Sequence, residues 1–424
     1  MADNNTYRKL IYDYLFEKFD VVLKKPYGNY KYPFIDPGAA YDGHLWDWDT
    51  FWATYALIGI AENYDVSDEF REKLKGCATG NVKNFLSFQL EDGYIPMMVH
   101  EPDADEPYLI RKHNEGEILN MHKPFLCQQI CLASGYLGSF DWIKEDMPKV
   151  KKYLECYDRY YYIESCGLYV WADDVMIGVD NDPAIFGRPR FSTGAIFLNS
   201  FLVREFRSMA KICRAFNMKS DADAYDAKAE KLTQAIQSEC YDKRDKIFYS
   251  VDVDIKTRAY DWFHKGLGVF WKTLPIKVRC WSSFLPMLSG IATKEQAAYL
   301  AKHAMDEETY MSCGGIRSLS KDEKMYNLEK TGNPSNWLGP IWIITQYCVF
   351  RGLMNYGYID EAKVICDKTL KLLGEDLIKT GDLHEYYNPE TCEPIMNPGF
   401  VNWNVLALTM ADELEGKASP DRYI

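Results

Sequence analysis

The stretch that decides the fold is "TGAIFLNSFLVREFRSMAKICRAF" (Thr193–Phe216), followed by "SDADAYDAKAEKLTQAIQS" (Ser220–Ser238). The first segment has helical periodicity but is apolar on most faces; the second is amphipathic and opens with Ser220 and Asp221 as capping candidates. A helix that is apolar all round must be buried, and one with a polar face lies at the surface. The same alternation recurs. "FLPMLSGIA" (Phe284–Ala292) precedes "TKEQAAYLAKHAMDE" (Thr293–Glu307), where Thr293 and Glu295 suit a helix start. "WLGPIWIITQYCVFRGLMNYG" (Trp337–Gly357) precedes "YIDEAKVICDKTLKLLGED" (Tyr358–Asp376). With about twelve candidate helices along the chain, six inner–outer pairs would close into two concentric rings, an (α/α)6 barrel. A helical-repeat solenoid competes, but the sequence shows no fixed period to support it.

Long loops rich in Gly, Pro and aromatic residues separate the pairs: Lys25–His44, Gly93–Lys123, Trp171–Arg190, Trp262–Trp281 and Lys379–Gly399. Loops of this length in a compact domain are usually functional or disordered, and this much aromatic surface argues against disorder. No low-complexity linker interrupts the chain, so the expectation is one all-α domain, residues 1–424, with loop elaborations.

Composition narrows the function. The apolar fraction of 47% is ordinary, whereas 11 Trp, 31 Tyr and 21 Phe make an aromatic content of 15%. Aromatic faces beyond the needs of a core line pockets for flat ligands, sugar rings among them. The net charge of −13 and isoelectric point near 5.2 argue against nucleic acid, whose phosphates call for clustered Lys and Arg. The 12 cysteines form no C-x-x-C pair, and many sit in apolar helical runs, as reduced core thiols would in a cytosolic protein. The segment "MADNNTYRKLIYDYLFEKFD" has no apolar signal core, and no run approaches a membrane span. The expectation is a soluble cytoplasmic protein without a membrane partner; its oligomeric state is not written in the sequence.

Four constellations are placed to carry chemistry. "AAYDGHLWDWDTFW" holds Tyr41, His44, Trp46, Trp48 and Asp49, and "VWADDVMIGVDNDPAIFGRPR" holds Asp173, Asp174, Asp180, Asp182, Arg188 and Arg190. "NPSNWLGPIW" holds Trp337 and Trp342, and "HEYYNPETCEP" sets Glu385 between a histidine and two tyrosines, followed by "GFVNWN" with Trp403. Glycoside hydrolysis needs two carboxyl groups flanking the scissile bond, one a protonated acid and the other an ionised base or nucleophile. Desolvation by aromatic walls raises the pKa of one carboxyl, while polar neighbours keep the other charged. A carboxyl-rich loop and a lone Glu among tyrosines fit that need. Equally, Asp180 and Asp182 fit the capping of a helix or turn.

The chain resembles glycoside hydrolase family 63 and its clan relatives, the trehalases, which are inverting α-glycosidases on an (α/α)6 barrel. "LWDWDTFW" is similar to the family's W-x-W-D-T-W/F segment, and "GVDNDP" to its G-x-D-N-(S/A)-P acid motif. "NWLGPIWIITQYCVFRGLMNYGY" is similar to W-R-G-P-I-W with its long helix, and "HEYYNPETCEP" to the base motif E-x-Y-N-P-x-T-G. The four occur in family order from Trp46 to Trp403. The resemblance implies Asp180 as general acid and Glu385 as general base, across one pocket at the wide end of the barrel. It also implies that Tyr387 and Asn388 fix the base loop, that Trp48 and Asp49 contact the non-reducing sugar, and that Lys123 of "HKPF" and Trp337 lie near the substrate. With Tyr41, Trp342, Trp403 and Arg190 these form the candidate substrate-binding set. No metal or cofactor is called for.

Three departures bear on the site. Leu338 stands for the arginine of W-R-G-P, and Cys392 for the glycine of N-P-x-T-G. Asp182 stands for the usual Ser or Ala, leaving open which of Asp180 and Asp182 is the acid. In "AIFGRPR", Arg188 and Arg190 either face an anionic aglycone or pair with Asp173, Asp174 or Asp182. In size the chain is nearer the compact glucosylglycerate and mannosylglycerate hydrolases, whose aglycone carries a carboxylate. The expected function is an inverting exo-α-glycosidase acting on a small α-glucoside or α-mannoside. A sugar epimerase on the same barrel would use paired histidines, and the seven here are scattered; an inactive carbohydrate-binding protein would have lost a carboxylate, and both are present.

Overall fold

The computed structural model describes residues 3–100, 108–255, 271–329 and 335–424. Among the described residues twelve helices alternate between two layers: α1 (Asn4–Val22), α2 (Asp47–Asn63), α3 (Asp68–Ser87), α4 (Leu126–Leu137), α5 (Met147–Tyr160), α6 (Ile196–Ala215), α7 (Lys219–Glu239), α8 (Leu285–Leu288), α9 (Lys294–Ala304), α10 (Ile343–Asn355), α11 (Ile359–Thr380) and α12 (Leu406–Leu414). A further short helix, Tyr108–Asn114, lies in the loop before α4. The even-numbered helices form the inner ring. Each packs on the next, and α12 returns to α2, which closes it. The architecture is the (α/α)6 barrel.

The layers follow from side-chain pattern. Every residue of α2 from Asp47 to Ala61 is buried, as a helix enclosed on all sides requires. In α7 the buried positions are Ala222, Ala229, Leu232 and Ile236, one stripe down one face, and that face lies on α6. Thr293 caps α9 in a reciprocal box with Gln296: the Gln296 N–H donates to Thr293 Oγ1 at 3.2 Å, and the Thr293 N–H to Gln296 Oε1 at 2.7 Å.

Several boundaries differ from those predicted by periodicity. Thr193–Gly194 is a short strand paired with Val251–Asp252, so α6 begins at Ile196. Helix α7 starts at Lys219 without a side-chain cap; Asp221 instead pairs with Lys151 of α5 at 2.7 Å. The expected helix Phe284–Ala292 is a 3-10 turn followed by one α-turn, ended by Gly290 at φ 64°. The predicted loop Trp262–Trp281 lies partly outside the described residues. Among the described residues no helix is long and apolar enough to cross a membrane.

The arrangement sets the site at one end of the ring. Trp48 and Asp49 open α2, Trp342 immediately precedes α10, and Trp403 lies in the turn before α12. Two small antiparallel strand pairs flank them: Leu45–Trp46 with Met98–Val99, across α2 and α3, and the hairpin of Tyr386–Tyr387 with Pro394–Met396. One departure from the family pattern lies at the tip of this hairpin. Cys392 has φ 61°, a left-handed conformation that glycine adopts at no steric cost.

Candidate active site

A cavity of about 460 Å³ is lined by Tyr41, Trp46, Trp48, Asp49, Asp174, Val175, Met176, Gly178, Asp180, Phe186, Ser335, Trp337, Trp342, Glu385 and Trp403. All four constellations therefore meet at one place, although they are spread over most of the chain. The indoles form a box. Trp337 and Trp342 stack at 3.9 Å and 4°, Trp342 stacks on Tyr386 at 4.6 Å, and Trp48 meets Trp403 edge-on at 5.2 Å. The N–H groups of Trp337 and Trp342 are used internally, on Ser335 and on the Asn336 carbonyl. Those of Trp46 and Trp403 are buried with no acceptor among the described residues, which suits a ligand carrying hydroxyls.

Glu385 sits at the start of the hairpin Tyr386–Met396, 5% exposed. The Tyr41 hydroxyl donates to it at 3.1 and 3.3 Å, and Asn397 Nδ2 at 3.0 Å. Asn397 emerges from the strand opposite Tyr386, so one short hairpin positions both the carboxylate and a donor to it. Burial pushes Glu385 up to about 7; the Asn397 and Tyr41 hydrogen bonds pull it down, and the charge of Asp180 pushes it up again. The two carboxylates thus interact electrostatically across the cavity. Asn397 escaped the sequence reading; the only local signal is the "NPG" turn it opens.

Asp180 is half-buried at the cavity wall, and its neighbours hold it there. Asn181 bridges to the Trp337 loop, accepting from the Trp337 N–H at 2.7 Å and donating to Asn336 Oδ1 at 3.1 Å. Asp182 faces away from the cavity at 3% exposure. Its carboxylate accepts the Ala184 N–H at 2.9 Å and lies 3.5 Å from Cys280 Sγ, and burial pushes it up to about 6. In the Asp-Asn-Asp run, only the first carboxylate reaches the cavity.

Asp49, 7% exposed, accepts from Asn402 Nδ2 at 2.6 Å. Burial pushes it up to about 8, against the pull of Lys123; the charges of Asp47 and Glu385 add to the rise. Among the described residues no group of three or more His, Cys, Asp and Glu side chains is arranged to hold a metal ion. The His44 and His100 rings approach to 5.1 Å, but neither lines the cavity.

Two candidates lie elsewhere. Lys123 is fully buried behind the cavity wall, its Nζ 2.7 Å from Asp47 and 5.7 Å from the Trp48 ring centroid. Asp47 also accepts the Lys123 and Trp48 backbone N–H groups, both at 2.6 Å, so the pair anchors the start of α2. Lys123→Met is therefore expected to destabilise the fold by about 3–5 kcal/mol in denaturant unfolding, because it strands a buried carboxylate. A substrate contact would instead raise KM at unchanged stability. Arg190, with Arg188, also points away. Arg188 pairs with Asp252 at 2.6 Å, and Arg190 with Glu117 at 3.4 Å and Asp173 at 3.8 Å. The arginines tie the loop that carries Asp180 down, and neither lines the cavity.

Comparison with known proteins agrees with this picture. A family model described as the mannosylglycerate hydrolase MGH1-like glycoside hydrolase domain matches residues 42–403. The chain is 23% identical over 197 residues, 46% of its length, to a mannosylglycerate hydrolase of Rubrobacter radiotolerans, and the matched stretch spans only 38% of that relative. It is also similar to the solved GH63 mannosylglycerate hydrolase of Thermus thermophilus in complex with Tris and D-glycerate, with a TM-score of 0.66 and 17% identity over 96% of this chain and 100% of that one. The neutral trehalase of Saccharomyces cerevisiae matches with a TM-score of 0.59 and 15% identity over 92% of this chain and 77% of that one. At these identities the structural likeness speaks to the fold.

Proposed function

The chain belongs to the mannosylglycerate hydrolase MGH1-like glycoside hydrolase family, and from that premise we propose that it is an inverting exo-α-glycosidase acting on a small α-glucoside or α-mannoside. Residues 1–424 act as one catalytic domain with loop insertions. Asp180 is the general acid and Glu385 the general base. Tyr41, Trp48, Asp49, Trp337, Trp342 and Trp403 bind the sugar, the indoles through ring faces and Asp49 through hydroxyls.

The observation that supports this most directly is the placement of Asp180 and Glu385 in one aromatic cavity, the first on a half-exposed loop and the second held by two donors. Asp180 gives its proton to the glycosidic oxygen as the bond to the anomeric carbon breaks. Glu385 takes a proton from a water that attacks the opposite face of that carbon. The first product from an α-glycoside is then the β-anomer. Proton NMR of the nascent sugar is the test: an initial β-anomer is expected, and an initial α-anomer would overturn the mechanism.

The roles also fix a pH dependence. A base must be ionised, so kcat/KM is expected to fall about tenfold per pH unit as Glu385 takes up a proton below about 7. A profile that instead loses activity above that pH, with no acid limb near it, would assign Glu385 the acid role.

A further inference from the structure

Given that reading of the site, the loop carrying the acid also shapes the space for the leaving group, because the acid protonates the leaving-group oxygen. Four residues of this loop besides Asp180 and Gly178 reach the cavity: Asp174, Val175, Met176 and Phe186. Val175 and Phe186 are 56% and 57% exposed, unusual for large apolar side chains inside so aromatic a site. The loop's two arginines are committed to Asp252, Glu117 and Asp173, outside the cavity. Asp174 joins Asp49, Asp180 and Glu385 as a fourth acidic side chain of the cavity, and none of the described lining residues is Lys or Arg.

We infer that the leaving-group side of this cavity takes a neutral aglycone with a ring face, an aryl group or a second sugar, rather than an anionic one such as glycerate. Phe186 supplies a flat apolar surface on which a ring packs, and Val175 and Met176 widen it. A carboxylate brought to the same place would stand beside Asp174 with no paired cation among the described residues, an unfavourable juxtaposition of like charges. Asp174 is held in position by the Gly187 N–H, which donates to its Oδ2 at 2.6 Å, so its side chain is a fixed part of the wall.

The test compares kcat/KM of the wild-type enzyme on one sugar, in both the gluco and manno series, with five leaving groups: fluoride, 4-nitrophenol, glucose, glycerol and glycerate. The ringed neutral aglycones are expected to exceed glycerate by at least about tenfold, and glycerol to exceed glycerate; preference between nitrophenol and glucose then distinguishes an aryl from a sugar aglycone. Phe186→Ala should lose about tenfold more on the ringed substrates than on the fluoride. Asp174→Asn, which keeps the oxygen that accepts the Gly187 N–H, should raise the glycerate-to-glycerol ratio about tenfold. A wild-type preference for glycerate, or equal losses by Phe186→Ala on every substrate, would overturn the inference while leaving the glycosidase reading intact. Absence of hydrolysis on the fluorides and on every glycoside would overturn the glycosidase reading and this inference with it.

Discussion

Glu385→Gln is expected to lower kcat on every α-glycoside by about 10²–10⁴-fold while leaving the barrel folded. Glutamine preserves the shape and can still accept from Tyr41 and Asn397, but it cannot take the proton of the attacking water. Stability separates this loss from misfolding. Glu385 titrates near 7 in the fold and near 4.3 in an unfolded chain, so the folded state binds its proton more tightly. Stability contributed by this group therefore falls as pH rises from about 4 to about 7, where the unfolded chain has already released the proton. At pH 8 the glutamine variant, with no charge to bury, should melt at or above the wild-type temperature. A variant that melted well below wild type would mark Glu385 as structural, and one that kept full activity would remove it from the mechanism.

Asp180→Asn should cost a comparable factor, about 10²–10³-fold, on glycosides whose leaving group needs protonation. The loss should be much smaller on a glycosyl fluoride, because fluoride departs without an acid. Asp182→Asn is the control. Asp182 holds the Ala184 N–H and lies against Cys280, away from the cavity, and asparagine keeps an oxygen for that N–H. Its activity should stay within about tenfold of wild type, with its effect showing in thermal stability instead. Were Asp182→Asn the deadlier change, the acid would be the third residue of the Asp-Asn-Asp run and not the first.

Much of this molecule is legible in one dimension. The contrast between α2, buried on every side, or α6, buried on all but one basic stripe, and α7, buried along one stripe, is a local property of side-chain order, and it separates inner from outer helices. The capping box at Thr293 is local for the same reason. The motif-bearing loops were readable because their aromatic and acidic residues have no use in a solvated turn. What periodicity did not reveal is where chain partners distant in sequence come together. Lys123 and Arg190 look like substrate contacts in sequence; the first neutralises Asp47 and the second ties down its loop, because ring closure sets opposite charges beside them. Asn397 carries no motif, yet the register of a short hairpin brings it onto Glu385. The sequence alone thus determined the helical alternation and the list of residues available for chemistry. Only the tertiary structure decided which of them share a cavity and which spend their charge on one another, since a carboxylate and its donor or cation can lie hundreds of residues apart, as Tyr41 and Glu385 do, and only closure of the barrel brings them within hydrogen-bond reach.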